Sequence, residues 1–307
     1  MTSSHPNSKT VLLTGANGFI GQKLLRRLGE FDALNVIAVA RKKDGLPTDG
    51  NFSALAVPDY LEADWNDLLR NVDSVVHVAG IIQPPQDSES PEDDMLRVNG
   101  EVTDRLIQAS IAQNVGQFVY LSSLSIYGQK NNNRLLSPIT PPDPDSMYAR
   151  SKLAGEMAIE KASSNSTINH VMIRPPMVIG TGSKGAFYSM ADLCAKIGFS
   201  PFGGIKAPYP IVFIDTLIDF VIAAVQLGPI ENGGYLVGED QIYCLPEILD
   251  QIAALSGAKL RHFSLPSPLL KLLMKVLGKS KPYEQVTGGL KLDVSKAHAV
   301  LDRFKRQ

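Results

Sequence analysis

Cysteine is nearly missing from this 307-residue chain: Cys194 and Cys244 are the only two, far apart and without the spacing of metal ligands. That excludes a disulfide framework and a thiolate metal site, so no metal is expected, and it suits a reducing cytoplasm in which both thiols are inert. Net charge is missing too. With 30 Lys and Arg against 31 Asp and Glu, nothing draws the chain to a polyanion, and the short Arg303–Arg306 tail is too small to bind nucleic acid. Long apolar runs do not occur. No stretch approaches the roughly 18 residues of a membrane span, and the polar start, Met1 to Ser8, lacks a basic-then-apolar export signal. The expectation is a soluble cytoplasmic protein with no membrane and no nucleic-acid partner. There is no internal repeat and no low-complexity tract.

What the chain does contain is alternation. Short aliphatic runs at Thr10–Leu13, Val36–Ala40, Ser74–Val78, Phe118–Ser122 and His170–Ile173 read as strands. Between them Gly21–Leu28, Trp65–Leu69, Glu92–Gln113 and Met147–Ser163 have helical length or spacing. Strands separated by helices predict an α/β fold, a doubly wound parallel (Rossmann) sheet with helices on both faces. Proline and glycine become frequent after Arg174 and the alternation fails. We therefore expect residues 1–174 to form a dinucleotide-binding domain to which 211–228 return, and 175–307 to form mainly a smaller, interleaved substrate domain. Pro268–Leu277 is an apolar helix with Lys271 and Lys275 on one face, read as buried or lid-like and not as a membrane or partner surface.

The first strand runs into a glycine-rich turn holding Gly15, Asn17, Gly18, Phe19, Ile20 and Gly21. Such a turn lets backbone amides and a helix N-terminus approach a pyrophosphate, although its intervals of three differ from the Gly-x-Gly-xx-Gly fingerprint. The second strand ends at Ala40, followed by Arg41 and Lys42. An acid there would accept from a ribose 2′-hydroxyl, whereas a guanidinium accommodates a 2′-phosphate, so NADP(H) is expected, with NAD the alternative. Asp64 is read as an acceptor for adenine or the cap of the helix starting at Trp65, which is placed beside it at the cofactor. His77, closing a strand just before Ala79-Gly80, is read as a structural or cofactor-loop histidine in preference to an acid or base.

Tyr148 and Lys152, four apart on one helix, share a face, and Ser123 closes a strand upstream. An ammonium beside a phenol lowers its pKa and makes Tyr148 an acid or base at neutral pH, while Lys152 also donates to ribose hydroxyls. Ser123 would hold the reacting oxygen.

As an ordered set, Thr14–Gly21, Asp64, His77–Gly80, Asn99, Leu121–Gly128, Tyr148–Lys152, Arg174-Pro175 and Phe213–Asp215 make the chain resemble an extended short-chain dehydrogenase/reductase of the NAD-dependent epimerase/dehydratase family. The resemblance implies catalysis by Ser123, Tyr148 and Lys152, with Ser123 chosen over Ser122 and Ser125. It also implies support from Asn99, passage of Pro175 to Val178 near the nicotinamide, and a homodimer paired through Glu92–Gln113 and Met147–Ser163. The C-terminal part is similar to the nucleotide-sugar 4-reductase and 4-epimerase branch in Gly180–Phe187, Gly203–Asp215 and Gly288–Ser295. Where that branch often places an asparagine and arginines on the diphosphate, this chain has Gly185-Ala186 and Ala207–Pro210, leaving Lys184 and Lys206 as phosphate partners. Gln83 and Tyr127 are further candidates for substrate contact. The expected function is hydride and proton transfer on a nucleotide sugar such as a UDP-sugar, by 4-keto reduction or 4-epimerisation. A non-nucleotide carbonyl or alcohol substrate and a non-catalytic NADP-binding scaffold are the alternatives, and dehydration is disfavoured by the lack of an acid beside Ser123.

Overall fold

The computed structural model describes residues 8–47, 49–128, 134–276 and 288–306. Its centre is a seven-stranded sheet in the order β11-β7-β5-β4-β1-β2-β3, built from β1 (Lys9–Thr14), β2 (Leu34–Ala40), β3 (Phe52–Ala56), β4 (Ser74–His77), β5 (Gln117–Leu121), β7 (Asn169–Arg174) and β11 (Gly233–Leu236). Every pairing in it is parallel. A parallel sheet covered on both faces needs continuous apolar strands, as β1 illustrates. Val11 and Leu13 enter the core on one face, and Leu12 enters the core on the other.

Five strands appear within about two residues of the runs read from sequence, the ordinary uncertainty of element ends. Two others carried no clear signal. β3 is a half-exposed edge strand, and β11 begins with Gly233-Gly234, which reads as a turn. Gly234 has a packing reason: a Cβ there would overlap the Arg174 guanidinium.

On one face lie α1 (Phe19–Leu28), α7 (Ile214–Gln226) and α10 (Ser295–Lys305). α7 follows β10 (Ile211–Phe213) directly, and nine of its residues are buried. On the other face, α2 (Trp65–Leu68) and the Pro91–Ala112 region pack with α5 (Met147–Ser163). The expected single helix over Glu92–Gln113 is interrupted. α3 (Pro91–Leu96) and α4 (Val102–Ala112) are separated by a π turn at Arg97–Glu101. Wide turns of this kind concentrate at functional sites. Here one carries Asn99 inward and Gly100 against α5, where an added Cβ would press on Ala154 at 3.2 Å.

The chain leaves the sheet after β7 to build a smaller lobe. β8 (Met177–Ile179) pairs with β10, and α6 (Ala186–Ile197) leads into β9 (Phe199–Ser200). α8 (Leu245–Ala254), β12 (Arg261–His262), which pairs with β9, and α9 (Ser267–Val276) complete it. Its core joins Phe187, Met190, Phe202, Ile248, Leu270 and Met274. A short pair joins β6 (Arg134–Leu136), between β5 and α5, to β13 (Leu290–Leu292), which follows α9. Of the two readings of Pro268–Leu277, buried or lid-like, full burial does not hold: Leu270 and Met274 of α9 are buried while Leu269, Leu272 and Val276 are exposed. Leu277 lies outside the described residues. No described helix is long and apolar enough to cross a membrane.

Candidate active site

The carboxyl ends of β1, β4, β5 and β7 open onto one cleft of about 410 Å³, where open α/β sheets place their ligands. Its floor is the glycine turn. Gly15 has φ +70°, and a Cβ there would lie 2.7 Å from Ala79 N. Gly21 is tighter still, because a Cβ would overlap Gly15 O. Gly18 begins α1 with no side chain capping its amides, so the helix N-terminus is left bare toward the cleft. That is the chemistry a pyrophosphate requires, and the residues present fit a dinucleotide. Phe19, Ile20, Gly80, Pro175 and Val178 line the same cleft.

Across it stand the chemical groups. Ser123 lies two residues after β5 and caps the 3-10 turn Leu124–Tyr127, its Oγ accepting from Ser125 N at 3.2 Å. Leu124 N donates to Pro175 O at 2.9 Å, which ties the serine turn to the loop after β7. Tyr148 and Lys152 project from the first turns of α5, whose N-cap Ser146 accepts from Ala149 N. Burial raises the Tyr148 pKa and the neighbouring Ser123 side chain offsets part of that rise, so the phenol is not depressed by Lys152 as its position suggested. Lys152 Nζ instead donates to Leu121 O at 2.9 Å and sits 4.8 Å from the Tyr120 ring centroid. Burial lowers its pKa to about 8 against the opposing charge of Glu156.

Beneath the cleft a closed relay holds the cofactor loop to the π turn. Thr103 Oγ1 donates to Asn99 O at 2.7 Å and therefore accepts from His77 Nε2 at 3.1 Å. His77 Nδ1 is left to accept from Thr14 Oγ1 at 2.7 Å, and that oxygen receives Ala79 N at 3.3 Å. Burial, then the Lys152 charge, lowers the His77 pKa to about 3, so the ring is neutral. Asn99 is fully buried; its amide donates to Ile81 O and Ser151 Oγ and accepts from Ile81 N, each at 2.9 Å.

A second buried node lies one turn beyond Lys152. The Arg174 guanidinium binds both Glu156 carboxylate oxygens (2.7–3.2 Å), the Tyr127 hydroxyl (2.6 Å) and Pro138 O (2.9 Å). One cation at the end of β7 thus fixes α5, the serine turn and the segment after β6 together. Its planar fork makes bidentate pairing possible, which a lysine would not reproduce.

Several candidates stand elsewhere. Tyr127 is buried in that node and Trp65 in the core, its indole donating to Tyr60 O, so neither side chain lines the cleft. Aromatic residues serve core and cleft alike, and only packing distinguishes them. The Asp64 carboxylate caps α2 through Asp67 N at 3.1 Å, the second of the two roles its position allowed. Lys206 is exposed on the substrate lobe, where its charge adds to the Cys244 hydrogen bonds that lower the Glu247 pKa, while Lys184 does line the cleft. Asn17, Arg41, Lys42 and Gln83 are exposed outside the lining. Sequence reasoning missed Tyr60, whose hydroxyl bridges Val39 O (3.1 Å) and Gly15 N (3.3 Å). It also missed Tyr188, which lines the cleft and meets Gly180 N at 2.9 Å. No spacing rule marks either, since each acts on backbone brought close only by the fold. Among the described residues no three His, Cys, Asp or Glu side chains converge on a metal site.

A doubly wound sheet with a bare helix N-terminus facing a Ser-Tyr-Lys group defines an enzyme of the nicotinamide-dependent short-chain dehydrogenase/reductase class. The chain belongs to the NAD dependent epimerase/dehydratase family, whose profile matches residues 11–238. It is 28% identical over 304 residues to a UDP-glucose 4-epimerase of Vibrio cholerae, covering 96% of this chain and 90% of that one. A dTDP-6-deoxy-L-talose 4-dehydrogenase (NAD(P)(+)) of Kitasatospora kifunensis is 29% identical over 224 residues, 72% of this chain and 68% of the relative. Among solved structures, the UDP-glucuronic acid 4-epimerase of Bacillus cereus in complex with NAD superposes with a TM-score of 0.73 at 23% identity, covering 95% and 90% of the two chains.

Proposed function

We propose that this enzyme carries out nicotinamide-dependent 4-epimerisation of a nucleotide sugar. The observation that carries the reading is the convergence of Ser123, Tyr148 and Lys152 beside the bare N-terminus of α1 in one cleft, in a chain whose relatives include a UDP-glucose 4-epimerase along nearly its whole length. A nicotinamide dinucleotide held there would supply the hydride acceptor and donor for the sugar C4. The protein's part is proton and position. Tyr148, once ionised to phenolate, would take the 4-hydroxyl proton and give it back, while Ser123 holds the oxygen as it alternates between alcohol and ketone. Lys152 is cationic at neutral pH and would donate to the cofactor's ribose. Gly15, Gly18 and Gly21 would admit the pyrophosphate, and Asn99 holds the loop at Ile81 in the cleft wall.

NAD is the resident cofactor in this reading, in keeping with the NAD-bound structure it resembles. Arg41, standing where an acid would select NAD, extends acceptance to NADP. Lys152 and Lys184 are the only cations lining the cleft among the described residues, and Ile81, Ile82, Met177 and Phe187 line it with them. That apolar surface favours a second reading, an uncharged carbonyl or alcohol substrate handled by the same three residues. Pairing through α5, which exposes Met147 and Met157, makes a homodimer.

A thermal-shift series with NAD, NADP, UDP and UDP-sugars separates these readings. Saturating cofactor is expected to raise the melting temperature by roughly 5 °C, and UDP compounds to add to it; no response to UDP moves the assignment to the uncharged substrate. Tyr148→Phe should abolish epimerisation and leave the cofactor shift intact. Turnover retained in that variant would refute the mechanism.

A further inference from the structure

Exposed apolar side chains are concentrated on one part of the substrate lobe, far along the chain from the catalytic residues. Fourteen large hydrophobics are exposed among the described residues, and eight of them fall within 193–199 and 255–276. The same stretches are rich in cations. Residues 193–199 and 255–276 contain Lys196, Lys259, Arg261, Lys271 and Lys275 and no acid; the exposed Asp192 precedes the first, and Asp250, just before the second, pairs with His262. All five are exposed, and none enters an ion pair among the described residues.

The segments are continuous in space. Arg261 N donates to Gly198 O at 3.1 Å, Phe263 N to Ser200 O at 2.9 Å and Leu265 N to Pro201 O at 3.3 Å, so the end of α6, β9 and β12 form one ribbon. In the parallel pairing Phe199 is the partner of Arg261, and Phe263 lies two residues on. Side chains in register, or two apart, share a face, and these three are exposed. α9 starts two residues after Leu265. Around its axis Leu270 and Met274 point to the core, Lys271 and Lys275 flank them, and Leu269, Leu272 and Val276 form a separate exposed stripe. A solvent face split into an apolar and a cationic stripe is the arrangement of helices that lie in a membrane interface.

We propose that this ribbon and α9 dock the enzyme on a membrane surface carrying anionic phospholipid headgroups. Unpaired cations bordering exposed aliphatic and aromatic side chains complement that surface in both charge and polarity. A second copy of the chain fits less well, because a two-fold contact would set the like charges of this face against each other. α6 runs from this face to Ala186, Phe187 and Tyr188 in the cleft wall, so docking would hold the cleft at a fixed distance from the bilayer. The inference does not depend on the sugar-nucleotide reading.

The test is co-sedimentation of the full chain with vesicles of phosphatidylcholine alone and of equal parts phosphatidylcholine and phosphatidylglycerol. Binding to the anionic vesicles only, reversed when salt rises from about 50 to about 500 mM, is expected. Arg261→Gln with Lys271→Gln and Lys275→Gln should weaken partitioning roughly a hundredfold, at about 1 kcal/mol per cation. Leu272→Glu with Val276→Glu should abolish it, with melting temperature and turnover unchanged in both variants because every altered side chain is exposed. No binding, or equal binding to both vesicle types, overturns the proposal. So does light scattering that shows a dimer converted to monomer by the Leu272→Glu, Val276→Glu change, which would assign the face to a second copy.

Discussion

His77 provides a direct thermodynamic test of the buried relay. Its ring is fully buried between Thr14 and Thr103 and is neutral, with a folded-state pKa of about 3 against an ordinary value of 6.5. Between those values the unfolded chain binds a proton that the folded chain refuses, so stability rises with pH across the window and is lost as pH falls below 6.5. Integration of that difference gives a loss of about 2 kcal/mol at pH 5 and about 3 kcal/mol at pH 4. Either is a large part of the roughly 5–15 kcal/mol that holds a domain folded. Carboxylates held low, such as Glu92, Glu247 and Asp293, produce a slope of the same sign, so the wild-type curve alone decides nothing. The informative quantity is the difference between wild type and His77→Gln in urea unfolding from pH 7 to pH 4. The variant starts less stable, but its curve should be flatter by about those amounts. Parallel curves would mean that the ring does not resist protonation and that the relay as drawn is wrong.

The other node makes different predictions. Glu156→Gln keeps the shape beside Arg174 and removes the charge that holds the Lys152 pKa up, so the alkaline limb of the pH–activity profile should move to lower pH; an unmoved limb would show that Glu156 acts on packing alone. Gly234→Ala would force the Arg174 guanidinium aside and should cost about 1–3 kcal/mol in denaturant unfolding, as overpacking does. Gly21→Ala, whose methyl would overlap Gly15 O, should erase the cofactor's thermal shift while leaving the chain folded, checked by far-ultraviolet circular dichroism.

Much of the frame was readable because burial on both sheet faces leaves an unbroken aliphatic signature, as at Val11–Leu13, and because the length and spacing of Met147–Ser163 are those of a helix. The π turn at Arg97–Glu101 was not readable. One extra residue per turn leaves the apolar period nearly intact, and the reason for it, the fit of Asn99 beneath Ile81 and of Gly100 against Ala154, exists only after folding. Ser123, Tyr148 and Lys152 could be named from order and spacing. The groups that set their environment could not: Arg174 and Glu156 lie 18 positions apart, and nothing local pairs them. Trp65 and Tyr127 show the converse, with residue types suited to a cleft used in the interior.

The sheet order has a consequence for how the polypeptide is made. β11 takes its edge position beside β7 only after the chain has passed through residues 175–232, most of which belong to the other lobe. α7 and α10 then close the face on which Val11, Leu24 and Val36 are buried. A nascent chain released as far as Arg174 would therefore carry an unpaired strand edge and half a core. The ribosome must emit nearly the whole protein before the nucleotide-binding lobe can settle, so the two lobes are inherited, expressed and lost as a unit.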